Sequence, residues 1–146
     1  MQETEKNKKE KLLGIDFGDA RTGLALSEAT GMLAVGAGCI RCGNLRKTAE
    51  EAAVFAREQG VTQIIVGNPL NMNGTECPRS ERVRAFAQIL EEESGIPVTL
   101  FDERLTTVSA HRFLSDTGVR GKKRKDSVDE LSATLILQDY MDRRRK

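Results

Sequence analysis

The stretch Leu12-Leu13-Gly14-Ile15-Asp16-Phe17-Gly18-Asp19-Ala20-Arg21-Thr22-Gly23 decides the fold. From Lys11 to Phe17 it is almost continuously apolar. That pattern belongs to a strand buried on both faces, at the centre of a sheet. Asp16 interrupts the run. A carboxylate inside such a strand loses hydration, at a cost on the order of several kcal/mol unless something pairs with it. Gly18-Asp19-Ala20-Arg21 is turn material, and Thr22 to Ser27 reads as a second strand. Ala34 to Cys42 reads as a third. The links are short and contain glycine, so these strands should form an antiparallel meander.

Beyond the meander, strands and helices alternate. Asn44 is a plausible N-cap for a helix running to about Gln59, with Ala49, Ala52, Ala53, Val54, Phe55 and Ala56 as its apolar face and Gly60 as its stop. Thr62 to Gly67 is a fourth strand, followed by a loop from Asn68 to Glu76. Ser80 to Ser94 is a helix carrying Val83, Phe86, Ala87 and Leu90 at helical spacing. Gly95 ends it, Pro97 prevents resumption, and Val98 to Phe101 is a fifth strand. Thr106 to Leu114 reads as helical, and Val119 to Lys125 as a mobile basic stretch. Ser127 or Asp126 then caps a last helix from Val128 to about Arg143, strongly buried through Leu131, Ala133, Leu135, Ile136 and Leu137. This order gives an α/β fold. It has a mixed five-stranded sheet, three antiparallel strands and then strand–helix alternation, with helices on both faces.

The chain of 146 residues suits one domain, 11–146, behind a polar and disordered tail, 1–10. No apolar segment approaches the ~20 residues that span a bilayer, and the tail has no signal-peptide core. The expectation is a cytoplasmic protein that avoids membranes. Net charge is +1, with 31% charged residues, so global charge does not dictate a partner. Charge is nonetheless patterned: Arg120-Gly121-Lys122-Lys123-Arg124-Lys125 holds five cations and Arg143-Arg144-Arg145-Lys146 closes the chain. Cys39 and Cys42 have C-x-x-C spacing but no second ligand pair. With Cys77 they read as free thiols.

Acidic residues recur where charge is awkward. Asp16 sits in the first strand, Asp102 and Glu103 end the fifth, and Asp126 and Asp129 open the last helix. Convergence of such groups would build a divalent metal site. The plain alternative is that each serves alone as a turn, cap or surface-pair residue, as with Asp102 beside Arg104. Strand alternation sends Asp102 and Glu103 to opposite sides, so one of them should face the site. Whether Asp102 or Asp126 joins it stays open. The loop Gly67-Asn68-Pro69-Leu70-Asn71-Met72-Asn73-Gly74-Thr75 lies where ligands bind in open α/β sheets, and its amides suit phosphate or base edges. Arg21 suits bidentate phosphate contact, or simple solvation in a hairpin. His111, the single imidazole, reads as a helix residue.

Four segments, GIDFGDARTGLAL, IIVGNPLNMNGT, FDERLTT and VDELSATLILQDYM, together resemble the YqgF/RuvX family of Holliday-junction-resolvase-like proteins associated with pre-16S rRNA. The resemblance runs from about Leu12 to Asp142. It implies an RNase H-like fold and a nuclease that matures precursor rRNA or a pre-ribosomal particle. It also implies Asp16, Glu103 and Asp129 as catalytic carboxylates holding Mg2+ or Mn2+. Asn73 stands where Asp is common in the family. Nucleic acid should meet Arg21, Asn68, Asn71, Arg104, Lys122, Lys123, Arg124 and Lys125. With aromatics at 4%, backbone contact should outweigh base stacking. The expected state is a monomer or weak homodimer. The rival readings are a DNA-junction resolvase, which needs a dimer, and a non-catalytic nucleic-acid-binding or ribosome-assembly factor. A third is an ATP site, because Asp16-Phe17-Gly18 with Thr22-Gly23 also resembles the phosphate loop of actin-like ATPases. One domain offers only half of that cleft.

Overall fold

The computed structural model describes residues 10–105 and 122–144, with the side chains of 122–127 outside that description. Five strands, β1 (Leu12–Asp16), β2 (Arg21–Ser27), β3 (Ala34–Arg41), β4 (Gln63–Asn68) and β5 (Val98–Asp102), form one sheet. Their order is β3-β2-β1-β4-β5. β2 pairs antiparallel with both β1 and β3, whereas β4 pairs parallel with β1 and β5. β1 is therefore central, as its apolar run requires.

Helices α1 (Leu45–Glu58) and α2 (Pro78–Ser94) cover one face, and α3 (Lys122–Arg144) covers the other. Alternation along β1 feeds both layers. Leu13 and Ile15 join the core beneath α1 and α2, while Leu12 joins Ala133, Ile136, Leu137 and Met141 of α3. Gly14 and Asp16 share the α3 face by the same alternation. Small residues set the spacing of both layers. Buried Ala49, Ala52, Ala53 and Ala56 bring α1 close to the sheet. Val54, expected on that face, is 54% exposed and points away. Asn44 caps α1 by accepting the Lys47 N–H at 2.9 Å. Gly95 closes α2 in the left-handed conformation, φ 70°.

The last helix differs from the sequence expectation. It begins at Lys122, not Val128, and so absorbs Lys122, Lys123, Arg124 and Lys125 into its first turns. Lys and Arg are good helix formers, and no Gly or Pro lies between Lys122 and Val128 to stop propagation. Leu131 is also 41% exposed, so the buried stripe begins one residue later, at Ser132 and Ala133. The expected helix at Thr106–Leu114, His111 and the basic residue Arg120 lie outside the described residues. Glu10, assigned to the tail, makes a two-pronged ion pair with Arg144 at 2.6 and 2.8 Å.

α3 also protects the edge of the sheet. Gln138 accepts the Ala34 N–H at 2.8 Å and donates to the Met32 carbonyl at 3.0 Å. Glu130 accepts the Gly38 N–H at 2.7 Å. Backbone groups of edge strand β3 are thereby occupied.

Candidate active site at the end of the central strand

Asp16 is the last residue of β1 and is only 4% exposed. The next residue, Phe17, faces the opposite layer and stacks on Phe86 of α2, centroids 4.4 Å apart. That stack anchors the chain just past Asp16. Gly18 then turns so tightly that a Cβ would collide with the Arg21 carbonyl.

Glycines on the two strands flanking β1 admit the other acids. Gly23 of β2 is the register partner of Asp16. A Cβ at Gly23 would run into the backbone carbonyl of Asp129, so α3 rests on bare main chain there. On the other flank, Ile15 pairs with Val66, which sets Gly67 beside Asp16. A Cβ at Gly67 would stand 2.6 Å from Ile136 Cδ1 and 3.2 Å from Glu103 Oε2. Neighbouring strands lie about 5 Å apart. Glu103 and Asp129 thus flank Asp16 on one face, brought from positions that are remote in sequence. Glu103 opens a short 3-10 turn after β5 and is 6% exposed.

Asp16 and Asp129 line one pocket of about 270 Å3 with Arg21, Arg79, Arg82 and Asp19. Arg21 Nε donates to Asp129 Oδ2 at 2.8 Å. The sequence alternatives for Arg21 were phosphate contact or solvation, and the structure adds this ion pair. Arg82 pairs with Asp19 at 2.9 Å. The donors around Asp16 are carboxylate oxygens, which suit a hard divalent cation. Among the described residues, no three acidic, Cys or His side chains are gathered tightly enough to grip an ion, and Asp129 is committed to Arg21.

Several other expected residues make contacts within the protein. Asp102 turns to Arg104, which donates to it through Nε at 3.1 Å and Nη2 at 2.6 Å. This hydrogen-bonded guanidinium holds the Asp102 carboxyl below its usual range and raises Arg104. Arg104 also donates to the Met72 carbonyl at 2.9 Å, tying down the loop after β4. Asn71 spends its amide within that loop, on Thr75 Oγ1 at 3.0 Å and the Glu76 carbonyl at 3.3 Å. The buried Oδ1 of Asn68 has no hydrogen-bond donor among the described residues. The backbones of Lys122 to Lys125 and of Asp126 lie in the first turns of α3. Cys39, Cys42 and Cys77 form no disulfide among the described residues. Sequence reasoning passed over Arg79 and Arg82. Their i, i+3 spacing at the start of a helix that follows a candidate loop was the available signal.

The strand order β3-β2-β1-β4-β5, with helices on both faces, makes this an α/β protein with Asp16 buried at the end of its central strand. A family model described as "RuvX: Holliday junction resolvase" matches residues 10–143, and the chain belongs to that family. A protein of Ruminiclostridium cellulolyticum named "Putative pre-16S rRNA nuclease" is 42% identical over 134 residues, 91% of this chain and 94% of its own length. One of the same name from Moorella thermoacetica is 43% identical over 133 residues, covering 91% and 95%. Among solved structures, Thermus thermophilus RuvC in complex with a Holliday junction substrate superposes with TM-score 0.54 at 14% identity, over 92% of this chain and 96% of that one. The fowlpox virus Holliday junction resolvase gives 0.51 at 13% identity, covering 91% and 99%. These two show the fold. Among the described residues, no helix is long and apolar enough to cross a membrane.

Proposed function

We propose that this chain is a divalent-metal-dependent nuclease that trims the 5′ end of the precursor of the small-subunit ribosomal RNA, in the cytoplasm. The observation that carries the reading is the placement of Glu103 and Asp129 beside Gly67 and Gly23, the glycines on either side of Asp16. The relatives' shared name, at 42–43% identity across nearly their whole lengths, supports the substrate.

Asp16, Glu103 and Asp129 would hold the Mg2+ or Mn2+. When bound, the cation supplies an activated water and charge stabilisation at the phosphorus. Asp16 and Glu103 are buried, so a cation held there would face little competition from bulk water. Arg21, paired with Asp129 at the rim of the pocket, is placed to donate to a phosphate oxygen there.

The test is cleavage of precursor RNA by Asp16→Asn, Glu103→Gln and Asp129→Asn with Mg2+ or Mn2+. Each should lose at least ~100-fold, because even outer partners of metal ligands cost 10- to 100-fold. EDTA should abolish wild-type cleavage. Undiminished cleavage by all three variants overturns the reading. The description of the matched family favours a second reading, resolution of DNA four-way junctions. Paired cuts on a junction by a stable dimer, without cleavage of precursor RNA, would establish that reading instead.

A further inference from the structure

Three guanidinium groups line the pocket of Asp16, and the nuclease reading uses only Arg21. Arg79 and Arg82 come from the first turns of α2, three residues apart, so they project from one side of the helix with Cβ atoms about 5–6 Å apart. Neither is firmly engaged. Arg79 makes a long 3.4 Å hydrogen bond to the Phe17 carbonyl. Arg82 pairs with Asp19, whose side chain is 79% exposed, and ion pairs so exposed hold weakly. A phosphodiester offers what these partners do not: anionic oxygens matched to the guanidinium fork.

We propose that Arg79 and Arg82 form a phosphate clamp that grips the backbone of a single nucleic-acid strand beside Asp16, with Asp19 as the internal anion the strand displaces. The inference rests on the nuclease reading and gives that site its means of holding substrate. Base identity plays no part in such a grip, so it is indifferent to sequence.

Binding of a short labelled single-stranded RNA of mixed sequence, followed by fluorescence anisotropy in EDTA across a salt series, tests the clamp without cleavage. Replacing both residues by Gln should weaken binding and lower the slope of log K against log salt by about 0.7 for each arginine. Replacing both by Lys should restore the slope. Asp19→Asn should tighten binding, and the gain should vanish when combined with Arg82→Gln. The Lys pair and Asp19→Asn keep the test decisive should the Gln pair fold poorly. A wild-type slope in the Gln pair, or no Arg82-dependent gain from Asp19→Asn, overturns the clamp. If Asp16→Asn still cuts RNA while the Gln pair loses its slope, the nuclease centre is wrong and the clamp stands. If Asp16→Asn is inactive while the Gln pair binds like wild type, the reverse holds.

Discussion

At the scale of single residues, the site is shaped as much by missing side chains as by carboxylates. Gly23 and Gly36 both face α3, but a methyl group would meet different obstacles. At Gly23 it strikes the Asp129 main chain, which cannot move without shifting the helix. At Gly36 it meets Glu130 Cδ at 2.7 Å, the end of a flexible side chain. Gly23→Ala should therefore cost about 3 kcal/mol or more. Gly36→Ala should cost about 1 kcal/mol, mostly through the disturbed Glu130–Gly38 hydrogen bond. Urea unfolding of the two variants measures the difference, and equal losses would mean that α3 does not rest on β2 as described. Asp16 was conspicuous in the sequence as a charge inside Leu12–Phe17, whereas Glu103 and Asp129 were singled out from their acidic neighbours only by the family resemblance. The pairing of Arg21 with Asp129 was not, since it joins residues 108 positions apart and depends on how α3 crosses the sheet.

At the scale of elements, two attachments carry predictions. The first is the hold of α3 on edge strand β3. Gln138→Ala removes an acceptor for Ala34 and a donor to Met32, so it should cost about 1 kcal/mol per bond and leave backbone groups free to pair with another chain. Increased light scattering on mild heating would register that exposure, and unchanged scattering would deny that Gln138 protects the edge. The second is the loop after β4, tethered through Arg104 to Asp102. Arg104 lowers the Asp102 carboxyl in the folded state, so this tether contributes stability above the ordinary carboxylate range near pH ~4 and loses it as pH falls through the lowered value. The stability gap between wild type and Asp102→Asn should thus be present at neutral pH and close in strong acid. A gap that widens on acidification would contradict the assignment. Element identities followed from periodicity and caps, as at Asn44 and Gly95. The start of α3 escaped because a run of cations reads as a loop, although the same residues favour helix once a buried stripe is available to continue them.

At the scale of the whole molecule, the two faces of the sheet have different tasks. Leu13 and Ile15 bind β1 to the layer of α1 and α2, while the opposite face meets α3 and carries Asp16. Mn2+ binding should stabilise the native state by mass action, about 2.7 kcal/mol at a hundredfold excess over Kd, or several degrees in Tm. Asp16→Asn should abolish that shift, and calorimetry with and without Mn2+ reads it independently of turnover. An equal shift in both proteins would place the ion elsewhere. The mixed sheet was readable from the order of segments. The position of Arg79 and Arg82 was not, because which end of α2 overlooks the strand terminus is a property of the assembled layers. The seat of Asp129 on Gly23 has a last consequence. Main chain touching main chain leaves no rotamer to adjust, so the clearance between helix and sheet is machined by covalent geometry alone. Variation on the outward side of α3 should leave the carboxylate's height above the strands untouched, whereas any bulk added at the seat would lift it as a wedge lifts a beam.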